Sequence, residues 1–177
     1  MENTKKMIGT ITIFVILASL VALTACGNTG GGATSNEANK ELENLYLEVL
    51  DEIWGFDEGL NPYDGIIAFD FTEINNLPDE NKASLIERAG ERFGASEAFA
   101  ATYDELVEDG YIEDTDFLTV FEEGILITIS TSGEKKDSFK FSALKWKSGL
   151  GADIYDSCTA SKKGGIWTYE LGGFAVA

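Results

Sequence analysis

The sequence predicts an α+β fold in which N-terminal helices pack on one face of a C-terminal antiparallel β-meander sheet. In the first half of the chain, apolar residues recur at three- and four-residue steps, as in amphipathic helices. After residue 116 the pattern changes to alternation with period two, and Gly-containing turns separate the alternating segments. The chain has 177 residues, of which 44% are hydrophobic, so it can bury a core of its own.

Three helices are expected in the first half. The first spans Glu37–Trp54, and the second follows Pro78 and ends at Gly94, a residue type that commonly terminates helices. The third has Ser96 as its N-cap and ends at Gly110. Between the first two helices, Ile67, Phe69 and Phe71 alternate with Ala68, Asp70 and Thr72, which predicts one strand.

Five strands are expected in the second half, and in the third of them the apolar residues change face between Ala143 and Leu144. That change predicts a bulge or a crossing between two packing environments. The expected strands are Phe117–Phe121, Ile125–Thr131, Ser138–Lys147, Ala152–Ala160 and Ile166–Val176.

The first 26 residues have the features of an export segment. Lys5 and Lys6 precede an apolar run, Ile8–Leu23, that is short for a helix spanning a bilayer. The run ends in Leu23-Thr24-Ala25-Cys26, which resembles the lipobox of bacterial lipoprotein precursors. The resemblance implies that a diacylglyceryl group, a palmitate-type lipid, is attached to the Cys26 sulfur and that cleavage occurs between Ala25 and Cys26. The alternative is an uncleaved anchor helix with an incidental cysteine.

This assignment predicts three regions: a signal peptide at 1–25, a lipidated Cys and flexible Gly-rich tether at 26–36, and a single extracytoplasmic domain at 37–177. Gly, Ser, Thr and Asn dominate the tether, as they do in flexible linkers. Two acyl chains give stable membrane anchoring. We therefore expect a lipid-anchored protein on the outer face of the cell membrane, with the covalent diacylglycerol on Cys26 and no other cofactor.

The charge distribution narrows the possible partners. The chain carries 31 acidic and 13 basic residues, a net charge of −18. Without residues 1–25 it keeps 30 acidic and 11 basic residues, a net charge of −19. Residues 26–133 contribute −21 and residues 134–177 contribute +2. Because phosphate binding needs a surplus of Lys and Arg, nucleic acid is not an expected partner.

Catalytic and metal-binding patterns are scarce. The chain has no His, which excludes Ser-His-Asp triads, Cys-His pairs and His metal sites. Cys158 is interpreted as a buried small apolar residue. Asp64 and Asp70 flank the first strand, but no opposed pair of catalytic carboxylates is evident. The loop Asp109–Asp116 is rich in oxygen ligands but lacks EF-hand spacing, and we expect no metal there. The segment Lys147–Ala152 lacks Walker spacing and is interpreted as a hairpin turn.

Four lysines are expected at one end of the sheet. In a meander alternate turns emerge at the same end, which would bring together Lys135, Lys136, Lys162 and Lys163. Such a cluster on an acidic molecule could contact anionic wall polymer or lipid headgroups. The alternative is that lysines at hairpin tips only prevent edge pairing and aggregation.

The region Ile67–Ala177 is similar to an uncharacterised domain of lipoproteins from low-GC Gram-positive bacteria (Firmicutes). It also resembles a domain appended to some BlaR-type membrane metallopeptidases, although this chain has no zinc-protease H-E-x-x-H motif. The resemblance implies a location and a fold, and it transfers no catalytic residues. The segments that carry it are Ile67–Asp70, Asn76–Leu77, Thr102–Leu106, Gly110–Ile112, Gly124–Ile129, Phe139–Ser142, Lys145–Ala152 and Gly165–Tyr169.

The expected function is a non-enzymatic binding or interaction module at the cell envelope, held by its lipid anchor and monomeric. Its partner would be a protein, a peptide or a component of the cell wall. Two alternatives remain: a carboxylate- or calcium-dependent envelope hydrolase, and an immunity- or inhibitor-like surface protein. Two carboxylates facing inward in a deep cleft would favour the hydrolase, whereas solvated acids on an open surface would favour the module.

Overall fold

A computed structural model describes residues 32–62, 65–115 and 119–177. The expected signal peptide, Cys26 and the first part of the tether lie outside these residues. Within them the chain forms α1 (Gly32–Phe56), α2 (Asp79–Phe93) and α3 (Tyr103–Glu108), with a 3-10 turn at Glu58–Leu60. The strands are β1 (Ile66–Asp70), β2 (Glu97–Ala100), β3 (Glu113–Asp114), β4 (Thr119–Val120), β5 (Gly124–Lys135), β6 (Ser138–Ser148), β7 (Gly151–Lys163), β8 (Ile166–Glu170) and β9 (Gly173–Val176).

The α+β class is confirmed, but the sheet is mixed instead of wholly antiparallel. Its strands run in the order β2-β1-β5-β6-β4-β3, and β7 pairs with β6, β8 and β9. β1 is parallel to both β2 and β5, while β5 to β9 pair in antiparallel fashion. The parallel pair arises because the chain returns from β1 to β2 through α2, and such a crossover brings the strands back in the same direction.

The third expected helix is wrong in its first half. Residues Glu97–Ala100 form β2 beside β1, and the helix starts only at Tyr103. Ser96 is therefore not its N-cap. Pairing with β1 outweighs local helix propensity here, and α2 packs so closely that a Cβ on Gly90 would lie 2.4 Å from the Ala98 Cβ.

Thr102 is the N-cap of α3. Its hydroxyl accepts a hydrogen bond from the Glu105 N–H (3.3 Å), and the Glu105 carboxylate accepts one from the Thr102 N–H (2.8 Å). These two bonds form a capping box, whose Thr-x-x-Glu pattern is visible in the sequence.

Other helices and strands begin or end at residues that differ from those expected. α1 starts at Gly32 instead of Glu37, so the last residues of the expected tether are helical. The expected strand Ile166–Val176 is two strands, β8 and β9, that pair with different parts of β7. Of the expected strand Phe117–Phe121, residues 117 and 118 lie outside the described part of the chain.

The two faces of the sheet carry different layers. α1 and α2 cover one face, where they enclose the main core that includes Leu50, Phe69, Ile127 and Phe141. α3 lies on the opposite face, so the helices are not confined to one face as expected. The smaller cluster under α3 consists of Ala68, Leu106, Ile112, Phe121 and Leu126.

The bulge expected within β6 is wrong, because the extra residue lies in the neighbouring strand β7. The β6–β7 register shifts between the pairs Phe141–Cys158 and Ala143–Tyr155, and Ser157 has a positive φ of 58°. β6 itself keeps its alternation, because its next inward-facing residue is Lys145, which is fully buried. The sequence pattern changes face only because a lysine stands where an apolar residue would be expected.

Candidate functional site

A groove lies at the carboxyl ends of the parallel strands β1 and β2. α2 and α3 begin beside the same edge, so their first residues form part of its walls. The carboxyl edge of parallel strands is where ligands commonly bind in open sheets that contain helices. The groove has a volume of about 470 Å³, within the range of small-ligand sites.

The groove combines an apolar floor with a polar rim. The floor residues are contributed by β1, α2 and the end of β2, and the rim residues come from the turn after β1 and from the first turns of α2 and α3. The apolar lining residues are Phe69, Phe71, Ala83, Ile86, Ala100 and Ala101. The polar lining residues are Asp70, Thr72, Asp79, Lys82, Thr102 and Glu105.

The rim charges are held by local interactions. Asp70 accepts hydrogen bonds from the Thr72 N–H (3.1 Å) and hydroxyl (2.6 Å). Lys82 lies 3.3 Å from the Asp79 carboxylate, whose side chain is 100% exposed. Hydrogen bonds from the backbone and hydroxyl of Thr102 lower the pKa of Glu105, so this carboxylate is ionised at neutral pH.

The rim of the groove is negatively charged. Three carboxylates and one ammonium give the rim a net charge of −2. Glu105 is exposed and its pKa is lowered, the opposite of what a general acid at neutral pH requires. A ligand with an apolar part and a cationic group would complement both floor and rim.

The ends of the β5–β6 and β7–β8 hairpins lie together as expected. We call these two ends the lysine tips, because they carry Lys135, Lys136, Lys162 and Lys163. Ser138 pairs with Ser161, and the Lys162 N–H donates to the Asp137 carbonyl at 2.8 Å, so the β5–β6 and β7–β8 hairpins end side by side. Lys135, Lys136 and Lys163 are exposed. Lys162 is engaged, because its Nζ forms an ion pair with Glu41 of α1 and lies 6.0 Å from the Trp167 ring centroid.

Cys158 is buried, as expected. Burial raises the pKa of its thiol, and its sulfur accepts a hydrogen bond from the Gly172 N–H at 3.3 Å. The Lys147–Ala152 segment is the turn of the β6–β7 hairpin.

The expected carboxylate sites are only partly described. Asp70 lines the groove, whereas Asp64, Asp116 and the lipidation residues Ala25 and Cys26 lie outside the described residues. In the part of the chain that is described, no group of three or more acidic or thiol side chains could hold a metal ion.

Sequence reasoning missed a buried ion pair between β6 and β7. Lys145 Nζ lies 3.2 Å from Asp153 Oδ2, and both side chains are 0% exposed. The ammonium also donates to the Asp57 carbonyl (2.8 Å) and the Asn61 side-chain oxygen (3.4 Å). The pair therefore attaches the segment after α1 to the sheet. The one sequence signal was a lysine at an inward position of an alternating strand.

Comparisons with known proteins add no relative. No protein-family model matches the chain, no curated protein matches it, and no solved structure matches it. Among the helices in the described ranges, none is long and apolar enough to cross a membrane.

Proposed function

We propose that this chain is a lipid-anchored extracytoplasmic protein that binds apolar segments carrying a cationic group, such as stretches of a basic peptide. The observation that carries the proposal is the groove beside β1 and β2, with its apolar floor and its rim of net negative charge. The sequence Leu23-Thr24-Ala25-Cys26 supports the anchor, and the lipid would keep this groove at the cell surface.

The groove supports a binding role more than hydrolysis. A pair of catalytic carboxylates needs opposed pKa shifts within a cleft. Asp79 and Glu105 are exposed, and the oxygens of Asp70 and Glu105 are engaged by Thr72 and Thr102. These carboxylates suit the recognition of a positive charge.

Lipidation is tested by the substitution Cys26→Ser. In cells fed a labelled fatty acid, the unaltered protein should carry the label and fractionate with membranes, whereas the variant should be unlabelled and released. Cys158→Ser is the matched control, because it removes the other cysteine and should leave labelling intact. Continued labelling of the Cys26→Ser protein would contradict the anchor.

Binding in the groove is tested with two immobilised peptides, one in which Leu and Phe are flanked by Lys and one in which they are flanked by Asp. The basic peptide should retain the protein and the acidic one should not. Ala100→Trp would fill the groove and should weaken retention tenfold or more. Ala175→Trp, on the exposed strand β9, is the control and should have no effect. Unchanged retention of the Ala100→Trp protein would contradict the site.

A further inference from the structure

The start of α1 lies at the same end of the molecule as the lysine tips. Glu41 forms an ion pair with Lys162, and the Tyr169 hydroxyl donates to the Glu48 carbonyl at 3.3 Å. α1 and β8 therefore run in the same direction along each other. The turns of α1 that precede Glu41 therefore lie toward the end of the molecule that carries the β7–β8 turn.

The chain between this end and the expected anchor is short. Gly32 follows Cys26 by six residues, which span at most about 21 Å when fully extended. The other end of the sheet is the Gly149–Leu150 turn, separated from the lysine tips by the eleven residues of β6, or roughly 36 Å. A lipid on Cys26 would therefore hold the tips much closer to the membrane than the opposite turn.

The near end has the chemistry of a membrane-contacting surface. We define the lysine end as Lys135, Lys136, Lys163 and Ile166. The three lysines are exposed, and Ile166 is an apolar side chain that is 70% exposed at the start of β8. At the tips of the same hairpins, the exposed acids are Glu134, which accepts a hydrogen bond from Thr131, and Asp137.

We propose that the lysine end faces the membrane and that its three exposed lysines contact anionic lipid headgroups, with Ile166 at the level of the headgroups. The proposal rests on the lipid anchor of the proposed function. It explains why exposed Lys side chains concentrate at one end of a strongly acidic molecule, since basic residues close to an anionic leaflet are attracted to it. The remaining surface, which is acidic, would be repelled and held away from the lipid.

The orientation can be measured by energy transfer from a single label on the lipidated protein to acceptors on lipid headgroups. Asp137→Cys places the label at the lysine end and keeps every lysine, while Gly149→Cys places it at the opposite turn. Cys158 is buried and should not react. On vesicles that contain phosphatidylglycerol, transfer should be several-fold higher from position 137 than from position 149. On phosphatidylcholine vesicles the difference should shrink.

Two charge variants with the same change in net charge separate the lysines from a general charge effect. Lys136→Gln with Lys163→Gln removes two positive charges at the lysine end and should reduce transfer from position 137. Gly149→Asp with Leu150→Asp adds two negative charges at the opposite turn, where Leu150 is 92% exposed, and should not reduce it.

Each result has a separate meaning. Equal transfer from positions 137 and 149 on anionic vesicles, with the protein still bound, would overturn the orientation but leave the anchor intact. A bias of undiminished size on phosphatidylcholine would overturn the contact of the lysines with anionic lipid. Loss of fatty-acid labelling would overturn the anchor, and this proposal with it.

Discussion

The two faces of the sheet differ in the polar side chains that they bury. The face under α1 and α2 buries charged side chains, including Glu43, Lys145 and Asp153. On the opposite face, α3 covers only an apolar cluster, and beyond it small polar residues such as Ser130 and Ser142 surround Leu144 and Ile154.

We expect the buried charges on the helix-covered face to fix how α1 and α2 are placed on the sheet. Apolar contacts favour burial but are not directional, whereas a buried charge must meet its partner in one geometry. Glu43 of α1 accepts hydrogen bonds from Asn81 (3.0 Å) and Ser84 (2.9 Å) and is paired with Arg88 of α2. Lys145 attaches the segment after α1. The charges of this face thus fix the position of α1 on the sheet and on α2.

The largest effect is expected at the buried pair. Lys145→Ala would leave the Asp153 carboxylate buried without a counter-charge, and the free energy of unfolding should fall by about 3–5 kcal/mol in a urea titration. Lys140→Ala, at an exposed site on the same strand, should change it by less than about 0.5 kcal/mol. The double variant Lys145→Met with Asp153→Leu should recover much of the loss. Equal losses for the single and double variants would contradict the assigned role.

Apolar truncation should distinguish the two faces as well. Ile129 is fully buried under the helices, and Ile129→Ala should lower the free energy of unfolding by about 2–5 kcal/mol. Leu144 is half-buried on the other face, and Leu144→Ala should cost about 1 kcal/mol, near the centre of the range for point mutations. Chemical denaturation measures both losses. A larger loss for Leu144→Ala than for Ile129→Ala would show that the face carrying Leu144 is covered in solution.

Acid should weaken the α1–α2 contact. Burial acts to raise the pKa of Glu43, but hydrogen bonds from Asn81, Arg88 and Ser84 outweigh it and lower the pKa from 4.5. A carboxylate with a lowered folded-state pKa contributes stability that is present above its unfolded pKa and is lost as pH falls through the folded value.

The measurement is the urea midpoint as a function of pH. The midpoint should fall below pH 4.5, the unfolded value for Glu43, and Glu43→Gln should flatten part of this dependence. At neutral pH the substitution should cost about 1–3 kcal/mol, since it weakens hydrogen bonds to a charged group. Glu87→Gln, one residue from Arg88 on the same helix but exposed, is the control. An identical pH dependence in the Glu43→Gln protein would contradict the argument.

The smallest effect is expected at Tyr155. Its hydroxyl is buried and has no hydrogen-bond partner in the described part of the chain. Burial and the nearby Asp153 charge raise the pKa of Tyr155 to about 12. Because Tyr155→Phe removes an unpaired polar group, it should leave stability unchanged or raise it by up to about 1 kcal/mol.

The hydroxyl of Tyr46 provides the comparison, because it donates to Asn76 at 2.6 Å. Tyr46→Phe should cost about 1 kcal/mol. Thermal unfolding of both variants is sufficient, and a larger loss at Tyr155 than at Tyr46 would contradict the difference drawn between them.

Local patterns in the sequence were enough for the elements whose burial is regular. The helical spacing of α1 and α2 and the alternation in β5, β6 and β7 predicted these elements, because one face of each is apolar along its length. The burial of Cys158 followed from the same alternation. The lipidation of Cys26 is also a prediction from sequence, and it awaits the labelling experiment.

Tertiary structure decided what depends on residues distant in sequence. The segment Glu97–Ala100 is a strand because β1 pairs with it. Its four residues are too short a stretch for the sequence pattern alone to predict a strand. The groove requires β1, α2 and β2 to meet, and Lys145 becomes a buried charge only when Asp153 and the segment after α1 enclose it. The spacing of apolar residues determines local conformation. The partner of a buried charge and the walls of a groove depend on contacts between segments that are distant in sequence, and a local pattern contains no information about those contacts.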